Sequence, residues 1–152
     1  MYYLIVVFLV VIDQLVKWWV RAAIPLGQSI PFIPYLMDLT YVQNTGAAFS
    51  VFSQHTWLLT LISLAGSALL AFLLWKNYFP GWMGKLSLSL VLAGAVGNLI
   101  DRALAGYVTD MFQTTFINFA VFNVADICVC CGGALLVVYV LFFWDKDKEA
   151  GK

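Results

Sequence analysis

The sequence predicts an all-α polytopic membrane protein with four transmembrane helices and a small extracytoplasmic β-cradle. Hydrophobic residues make up 63% of the 152 residues and charged residues only 11%, against roughly 45–50% and 25% in soluble domains. So few charges cannot cover a water-facing surface, and so many apolar residues are not typical of a disordered chain. The length predicts one domain, 1–152. The formal net charge is +0, so no nucleic-acid partner is expected.

Four apolar stretches predict the helices, at about 2–20, 57–75, 86–103 and 126–144. Each approaches the ~20 residues that cross a bilayer as a helix. Backbone groups in lipid must be satisfied within the segment, which favours helices over isolated strands. The third stretch is short when only its uncharged residues are counted. Asp101 and Arg102 are therefore expected within the membrane or at its boundary.

The distribution of lysine and arginine predicts that both termini lie in the cytoplasm. The first stretch has no basic leader and contains Asp13 and Lys17, so we interpret it as a retained helix and not as a signal peptide. Basic residues in short loops mark the cytoplasmic side. Five lie in the 76–85 loop and the C-terminal tail and at most three on the opposite side: Lys76, Lys85, Lys146, Lys148 and Lys152, against Lys17, Arg21 and Arg102.

Two longer segments, 22–56 and 105–124, lie on the predicted outer side. The run at 36–42 is β-prone and partly alternating, and a turn signal follows at Asn44-Thr45-Gly46. Such a pattern predicts a small β-ribbon or β-cradle on the outer membrane face. The second segment, 105–124, predicts an amphipathic stretch that lies along the membrane–water interface. Its aromatic residues include Phe112, Phe116, Phe119 and Phe122.

Five ionisable groups from distant parts of the chain are predicted at this outer level. Asp13 and Lys17, spaced i, i+4, share one face of the first helix and are expected to form a structural ion pair. Ionisable residues in a membrane span are costly and usually functional. The other three are Asp101 at the end of the third helix, Asp110 in the loop and Asp126 at the start of the fourth. The polar residues expected beside them are Asn44, Asn98, Arg102 and Asn123.

Histidine and cysteine give little support to other chemistries. His55 is the single histidine, which argues against Ser–His or Cys–His catalysis and against a catalytic zinc. No metal site is therefore expected. The three cysteines, Cys128, Cys130 and Cys131, all lie in the fourth helix, where we interpret each thiol as a small packing group.

Carboxylate chemistry remains. Two carboxylates that face one water can share a proton, so that one acts as base and the other as acid. Either Asp110 with Asp126 or Asp101 with Asp126 could form such a pair, and spacing does not choose between them. The residues alone also leave open a proton-coupled membrane carrier that uses its intramembrane carboxylates, and a non-catalytic scaffold.

Four motifs occur in order along the chain: Asp13-Gln14-x-x-Lys17, Asn44-Thr45-Gly46-Ala47-Ala48-Phe49-Ser50, Gly97-Asn98-Leu99-Ile100-Asp101-Arg102 and Phe122-Asn123-Val124-Ala125-Asp126. In these motifs the chain resembles the lipoprotein signal peptidases, the signal peptidase II family. The resemblance covers nearly the whole chain. It implies an aspartyl endopeptidase of the bacterial inner membrane with its active site at the outer face. Members cut prolipoprotein signal peptides just before the lipid-modified cysteine.

The resemblance also assigns residues to roles. It selects Asp110, in Val108-Thr109-Asp110, and Asp126 as the catalytic dyad. It implies support from Asn44, Asn98, Asp101, Arg102 and Asn123, and a scaffold role for Asp13 and Lys17. It implies no cofactor and no metal, and its expected partners are the bilayer and a diacylglyceryl-modified prolipoprotein. A monomer is expected, because the pocket needs no second chain. Met111 is a small departure, since phenylalanine is commoner there in the family.

Overall fold

A computed structural model describes residues 1–46 and 56–150 of the chain. Its elements are, in order, α1 Tyr2–Ala23, β1 Ser29–Ile33, β2 Met37–Asn44, α2 Thr56–Trp75, α3 Gly81–Ala105, β3 Val108–Thr114, α4 Val124–Phe142 and α5 Trp144–Ala150. His55 and positions 47–50 of the second motif lie outside the described residues.

The helices confirm the predicted fold class. Within the described ranges, α1, α2, α3 and α4 are long and apolar enough to cross a membrane, with mean hydropathies of 1.9, 2.2, 1.5 and 2.4. A three-stranded antiparallel sheet accompanies them. The protein is therefore a helical, multi-pass membrane protein with a small sheet.

The start of α3 differs clearly from the prediction. The helix α3 begins at Gly81, directly after Pro80 in an extended conformation, and not near residue 86. The charge of Lys85 interrupts the apolar run, which made the predicted helix too short. In the structure its ammonium lies 5.7 Å from the centroid of the Tyr2 ring, because a lysine stem is long enough to carry its charge away from apolar surroundings.

The helix α3 packs against α1, α2 and α4, and glycines let its neighbours approach. A Cβ on Gly94 would collide with the carbonyl oxygen of Ala125, at the start of α4. A Cβ on Gly97 would lie 2.6 Å from a carboxylate oxygen of Asp13. Small residues at these positions permit close helix packing, which brings the polar residues of α1, α3 and α4 together.

The sheet joins the segments that precede α2 and α4, in the order β1-β2-β3. Its register places Val42 opposite Asp110 and Asn44 opposite Val108. One face packs on the end of α1, where Val20, Ile24, Leu39, Tyr41 and Met111 form a buried cluster. The predicted β-prone run at 36–42 thus corresponds to β2.

The segment 105–124 differs from its prediction. Residues Val108–Thr114 form β3, a full strand of the sheet, where an amphipathic interfacial piece was expected. Pairing with β2 satisfies the backbone of this segment. Its sequence, Val-Thr-Asp-Met-Phe-Gln-Thr, lacks the alternation of apolar and polar residues that would have predicted a strand. Phe112 and Phe122 also form an isolated antiparallel bridge, which folds the segment back toward α4.

Candidate active site

One group of charges, the ion cluster, joins α1 to α3. It consists of Asp13, Lys17, Arg21 and Asp101. The Lys17 ammonium lies 2.9 Å from Asp13 Oδ2 and 3.4 Å from Asp101 Oδ2, and Arg21 Nη1 lies 3.7 Å from Asp101 Oδ1. Asp13, Lys17 and Asp101 are almost completely buried, and Asp13 and Lys17 form the predicted ion pair. The carboxylates therefore have their cations within the protein.

Further hydrogen bonds fix this cluster to the other elements. Asp13 Oδ1 accepts a bond of 2.9 Å from the backbone N–H of Ala125 on α4. Asp101 Oδ2 accepts one of 2.9 Å from the backbone N–H of Thr109 on β3. The Gln14 amide donates to both carboxylates and to the carbonyl of Gly97. The cluster thus ties α1, α3, α4 and β3 to one another.

Asp110 lies on β3 and is held by asparagine amides. Asn44 Nδ2, at the end of β2, donates to Asp110 Oδ2 at 2.9 Å. Asn123 Nδ2 donates to Asp110 Oδ1 at 2.6 Å. The carboxyl group is almost completely buried, so the sheet register and the start of α4 together determine its environment.

Asp126 lies in the first turn of α4, inside a capping box. Asn123 is the N-cap: its side-chain oxygen accepts from the backbone N–H of Asp126 at 3.0 Å, and Asp126 Oδ2 accepts from the backbone N–H of Asn123 at 3.1 Å. Such reciprocal bonds satisfy the free N–H groups of a helix start. Asn98 Nδ2 of α3 donates to Asp126 Oδ1 at 2.8 Å.

Two asparagines connect the ion cluster with these carboxylates. Lys17 Nζ donates to Asn98 Oδ1 at 2.9 Å. Because an ammonium can only donate, the oxygen of the Asn98 amide faces Lys17, and its NH₂ group is left to face Asp126. Asn123 Nδ2 also donates to Asn98 Oδ1, at 3.2 Å. Lys17 therefore orients the amide that binds Asp126.

The environment of Asp110 favours its neutral form. Burial raises the pKa of Asp110 from the usual 3.8 to about 6, because the charged form is poorly solvated there. Hydrogen bonds from Asn44 and Asn123 oppose this rise in pKa, and the negative charge of Asp126 adds to it. A carboxyl group with a pKa near neutrality can hold a proton for general acid–base chemistry.

A cavity of about 600 Å³ opens beside the two carboxylates. Such a volume lies within the ~300–1,000 Å³ of typical ligand pockets. Asp110, Asp126, Asn44, Asn98 and Arg102 all line this cavity, together with mainly apolar residues of α3, α4 and the loop at 119–122. A segment with both polar and apolar parts could therefore bind there.

Arg102 fixes one side of the cavity. Its Nη2 donates to the carbonyl oxygen of Gly46 at 3.3 Å. This bond attaches the chain just after β2 to α3. The sequence predicted that Arg102 supports the site, and the structure gives it this contact.

The sequence-predicted site residues fall into two neighbouring groups. Asp13, Lys17 and Asp101 belong to the ion cluster. The others contact or border the cavity: Asn44, Asn98, Arg102, Asp110, Asn123 and Asp126. The prediction missed Gln14, Arg21 and Thr109, and Arg21 donates to Thr109 Oγ1 at 3.0 Å. The signal for Gln14 and Arg21 was present, because Gln14, Lys17 and Arg21 are spaced i, i+3 and i+7 in an apolar stretch and so lie on one helix face.

Comparison with known proteins decides the family. Residues 5–142 match the family model described as Signal peptidase (SPase) II. The chain belongs to the signal peptidase II family. This family membership makes the chain a membrane-embedded protease and confirms the resemblance found in its four motifs.

Relatives of this signal peptidase II chain are similar over more than nine-tenths of their length. A lipoprotein signal peptidase of Lactococcus lactis subsp. lactis is 41% identical, over 95% of this chain and 93% of the relative. One of Lactiplantibacillus plantarum is 40% identical, over 92% and 93%. One of Enterococcus faecalis is 40% identical, over 99% and 91%.

Two solved structures share the fold of the signal peptidase II chain. Both are described as bacterial membrane enzymes solved by the in meso method. The structure at 2.3 Å resolution has a TM-score of 0.87 and 31% identity, covering 99% of this chain and 91% of that one. The structure at 1.9 Å has a TM-score of 0.85 and 30% identity, with 93% of each chain covered.

Proposed function

We propose that this protein is an aspartyl endopeptidase that removes signal peptides from diacylglyceryl-modified prolipoproteins, cutting just before the lipidated cysteine. The names of its relatives, lipoprotein signal peptidases, support the substrate class. The observation that carries the aspartyl mechanism is that Asp110 and Asp126 border one cavity and are both bonded to Asn123. Two adjacent carboxyl groups that differ in environment can divide the roles of acid and base.

The environments of the two groups support a division of roles. Asp126 lies at the amino end of α4, where the helix dipole favours a negative charge. Asp110 has a pKa raised to about 6. We assign the shared proton to Asp110 and the negative charge to Asp126 in the free enzyme.

The reaction then follows from this protonation. The ionised Asp126 takes a proton from a water, whose oxygen attacks the scissile carbonyl carbon. Asp110 gives its proton to the carbonyl oxygen, so a neutral tetrahedral diol forms. Collapse of the diol breaks the C–N bond: the proton on Asp126 passes to the leaving amine, and a diol hydroxyl returns its proton to Asp110. Both carboxyl groups end in their starting states, as general acid–base catalysis requires.

Amide groups around the dyad have a positioning role in this proposal. Asn44, Asn98 and Asn123 hold the carboxyl oxygens without adding a charge. A neutral donor stabilises a carboxylate less than a cation does, so the shared proton can still move during the reaction. Arg102, at the cavity edge, holds the Gly46 carbonyl and so the end of the outer segment.

The surroundings of the cavity support a substrate that arrives from the membrane. Its apolar lining suits the hydrophobic helix of a signal peptide, and the four candidate spans suit a bilayer. We place both termini in the cytoplasm of a bacterium and the dyad at the outer face of the inner membrane, from the distribution of lysine and arginine. One chain supplies all the groups used here, so a monomer suffices.

A cleavage assay tests the substrate and the cut together. Purified protein in lipid is mixed with a diacylglyceryl-modified prolipoprotein and with its unmodified twin, and products are separated by gel shift and identified by mass. Cleavage of only the modified precursor, leaving the lipidated cysteine as the new N-terminal residue, is the expected result. Equal cleavage of both precursors, or none by folded protein, would contradict the proposal.

A further inference from the structure

The chain next to Asp110 is held by side chains that the proposed mechanism does not use. We propose that Thr109 is a positioning residue for Asp110, and that Arg21 acts on Asp110 through the hydroxyl of Thr109. The effect on cleavage rests on the proposed function, whereas the placement of Asp110 does not. Neither Thr109 nor Arg21 belongs to the cavity lining, so both would affect the reaction only through the position of β3.

The strand pairing of β3 is irregular at Asp110. The register shifts between the pair Val42–Asp110 and the pair Leu39–Phe112, so β2 has one residue more than β3 in this interval. An extra residue of this kind disrupts the ladder locally. The pairing of β2 with β3 therefore does not fix Asp110 by itself.

Backbone bonds outside the β2–β3 pairing hold the chain on both sides of Asp110. Asp101 Oδ2 accepts from the backbone N–H of Thr109 at 2.9 Å. The carbonyl oxygen of Phe122 accepts from the backbone N–H of Met111 at 3.0 Å. The two N–H groups that flank Asp110 are thus bonded to α3 and to the segment just before α4.

The hydroxyl of Thr109 adds a contact to α1. Successive side chains of a strand point to opposite faces, and here Asp110 lines the cavity whereas Thr109 faces α1. Arg21 Nη1 donates to Thr109 Oγ1 at 3.0 Å and lies 3.7 Å from Asp101 Oδ1. Thr109 is completely buried, and the Arg21 side chain is 30% exposed. One guanidinium group thus holds both the hydroxyl of Thr109 and the carboxylate that binds its N–H group.

These contacts determine how Asp110 meets its amide donors. Asn44 and Asn123 come from different parts of the chain and bind the two carboxyl oxygens at 2.9 and 2.6 Å. A rotation or shift of β3 would lengthen these bonds and move the carboxyl group relative to Asp126. Such a displacement should affect the chemical step more than substrate binding, since small misplacements of reacting groups lower the rate steeply.

Four variants separate the hydroxyl from its surroundings. Thr109→Val removes the hydroxyl with little change of shape, and Thr109→Ser keeps it. Arg21→Met removes the donor, and Arg21→Met combined with Thr109→Val completes a double-mutant cycle. Thr114→Val is the matched control, because Thr114 lies at the far end of the same strand, with its hydroxyl bonded to the carbonyl oxygen of Ile117.

Two quantities are measured on each folded variant in lipid vesicles, with thermal unfolding as the check of folding. Gel-shift cleavage of a diacylglyceryl-modified prolipoprotein at several concentrations gives kcat and KM. Infrared difference spectroscopy, titrated with pH, gives the midpoint at which Asp110 loses its proton, and it does not depend on cleavage. The charges that act on Asp110 come from Asp126 on α4, Lys17 on α1 and Arg102 on α3, and no variant removes them.

We expect Thr109→Val to lower kcat ~10-fold with an unchanged KM, and Thr109→Ser to cleave as the wild type does. The infrared midpoint of Thr109→Val should rise by ~0.5 unit or more, because longer bonds from Asn44 and Asn123 stabilise the carboxylate less. The double variant should be no slower than Arg21→Met alone, since Arg21 acts through the hydroxyl. Thr114→Val should match the wild type in both measurements.

Three results would overturn the proposal. Wild-type kcat and midpoint in Thr109→Val would show that the hydroxyl does not position Asp110. Equal losses in Thr109→Val and Thr109→Ser would assign the effect to packing. Losses of rate that add in the double variant would show that Arg21 acts by another route.

Two further outcomes are distinguishable from these. If Thr109→Val does not fold, Arg21→Met, which keeps the buried threonine, decides by the same kcat and midpoint. Failure of folded wild type to cleave would refute the proposed function, and the infrared midpoints would still test the placement of Asp110.

Discussion

The buried polar layer of this protein contains two kinds of carboxylate. Asp13 and Asp101 lie within ion-pair distance of Lys17, so their negative charges are neutralised inside the protein. Asp110 and Asp126 accept hydrogen bonds from amides and backbone N–H groups. No cation forms an ion pair with either of them among the residues described by the structure. The type of partner therefore separates carboxylates that are neutralised by a cation inside the protein from carboxylates that are held by neutral donors.

The ion cluster and the dyad of Asp110 and Asp126 also depend on each other. Lys17 links the ion cluster to the dyad. It pairs with Asp13 and Asp101 and donates to Asn98, which in turn donates to Asp126. A change in the ion cluster should therefore disturb folding first and the dyad second. A change in the dyad should affect the chemistry alone. The predictions below test this separation.

The largest expected effect is loss of cleavage on removing either dyad carboxyl group. Asp110→Asn and Asp126→Asn should each lower the cleavage rate by ~10²–10⁴-fold, the usual contribution of a general acid or base, with thermal unfolding close to wild type. Asp38→Asn, a change of another acidic residue on the same sheet, should cleave normally. The gel-shift assay measures all three. Normal cleavage by folded Asp126→Asn would remove the aspartyl mechanism.

The second effect concerns stability. Lys17→Met should destabilise the protein by roughly 3–5 kcal/mol, because it leaves the buried Asp13 without its cation and Asp101 with only Arg21, at 3.7 Å. Thermal unfolding in detergent, followed by tryptophan fluorescence, measures this change. Lys85→Met is the matched control and should cost no more than ~1 kcal/mol, since its contact is with the ring of Tyr2. Equal losses in the two variants would show that the ion cluster has no special role in stability.

The third effect is a shift in pH dependence. Asn44 donates to Asp110 and lowers its pKa, so Asn44→Ala should raise that pKa above about 6. In the proposed mechanism the free enzyme loses activity when Asp110 loses its proton at higher pH. The alkaline limb should therefore move to higher pH by about 1–2 units, as expected for a bond of ~1.5–3 kcal/mol to a charged group. Cleavage rates from pH 4 to 9 test this.

A control on the same strand makes the pH shift specific. Gln43 donates to the hydroxyl of Tyr41 and does not border the cavity. Gln43→Ala should leave the alkaline limb where it is in the wild type. A shift to lower pH in Asn44→Ala would reverse the sign required by the account.

The smallest effect is expected next to the dyad, at Met111. Its side chain is completely buried against Val20, Leu39 and Tyr41, so it belongs to the packing of the sheet on α1. Met111→Leu conserves volume and should cost less than ~1.5 kcal/mol without changing the pH profile. A marked change in the profile would show that packing behind β3 tunes the dyad.

The sequence predicted the four long helices, the β-prone run and every side chain that hydrogen-bonds to Asp110 or Asp126 in the described part of the chain, but it could not separate the two kinds of carboxylate. Spacing left Asp101 and Asp110 equally able to pair with Asp126, and only the resemblance chose between them. Asp101 faces Lys17 because α1 and α3 come close at Gly97. Asp110 meets Asn44 across a strand pair that joins positions 66 residues apart.

The strand β3 shows the same limit in the fold. Its sequence, Val-Thr-Asp-Met-Phe-Gln-Thr, does not alternate between apolar and polar residues, and the phenylalanines at 112, 116, 119 and 122 fit an interfacial segment. What decides is the side of β2 that does not pair with β1, which supplies backbone partners to Val108–Thr114. Local pattern does not contain that information, because the partner strand is far away along the chain.

The most direct test of the central claim is the protonation of Asp110 itself. Infrared difference spectroscopy in lipid, titrated from pH 4 to 8, detects the carbonyl stretch of a protonated carboxyl group. The account predicts a band that disappears with a midpoint near about 6, that is absent from Asp110→Asn and that persists in Asp101→Asn. The same band in Asp110→Asn, or its loss in Asp101→Asn, would assign the exchangeable proton to the ion cluster and contradict the account.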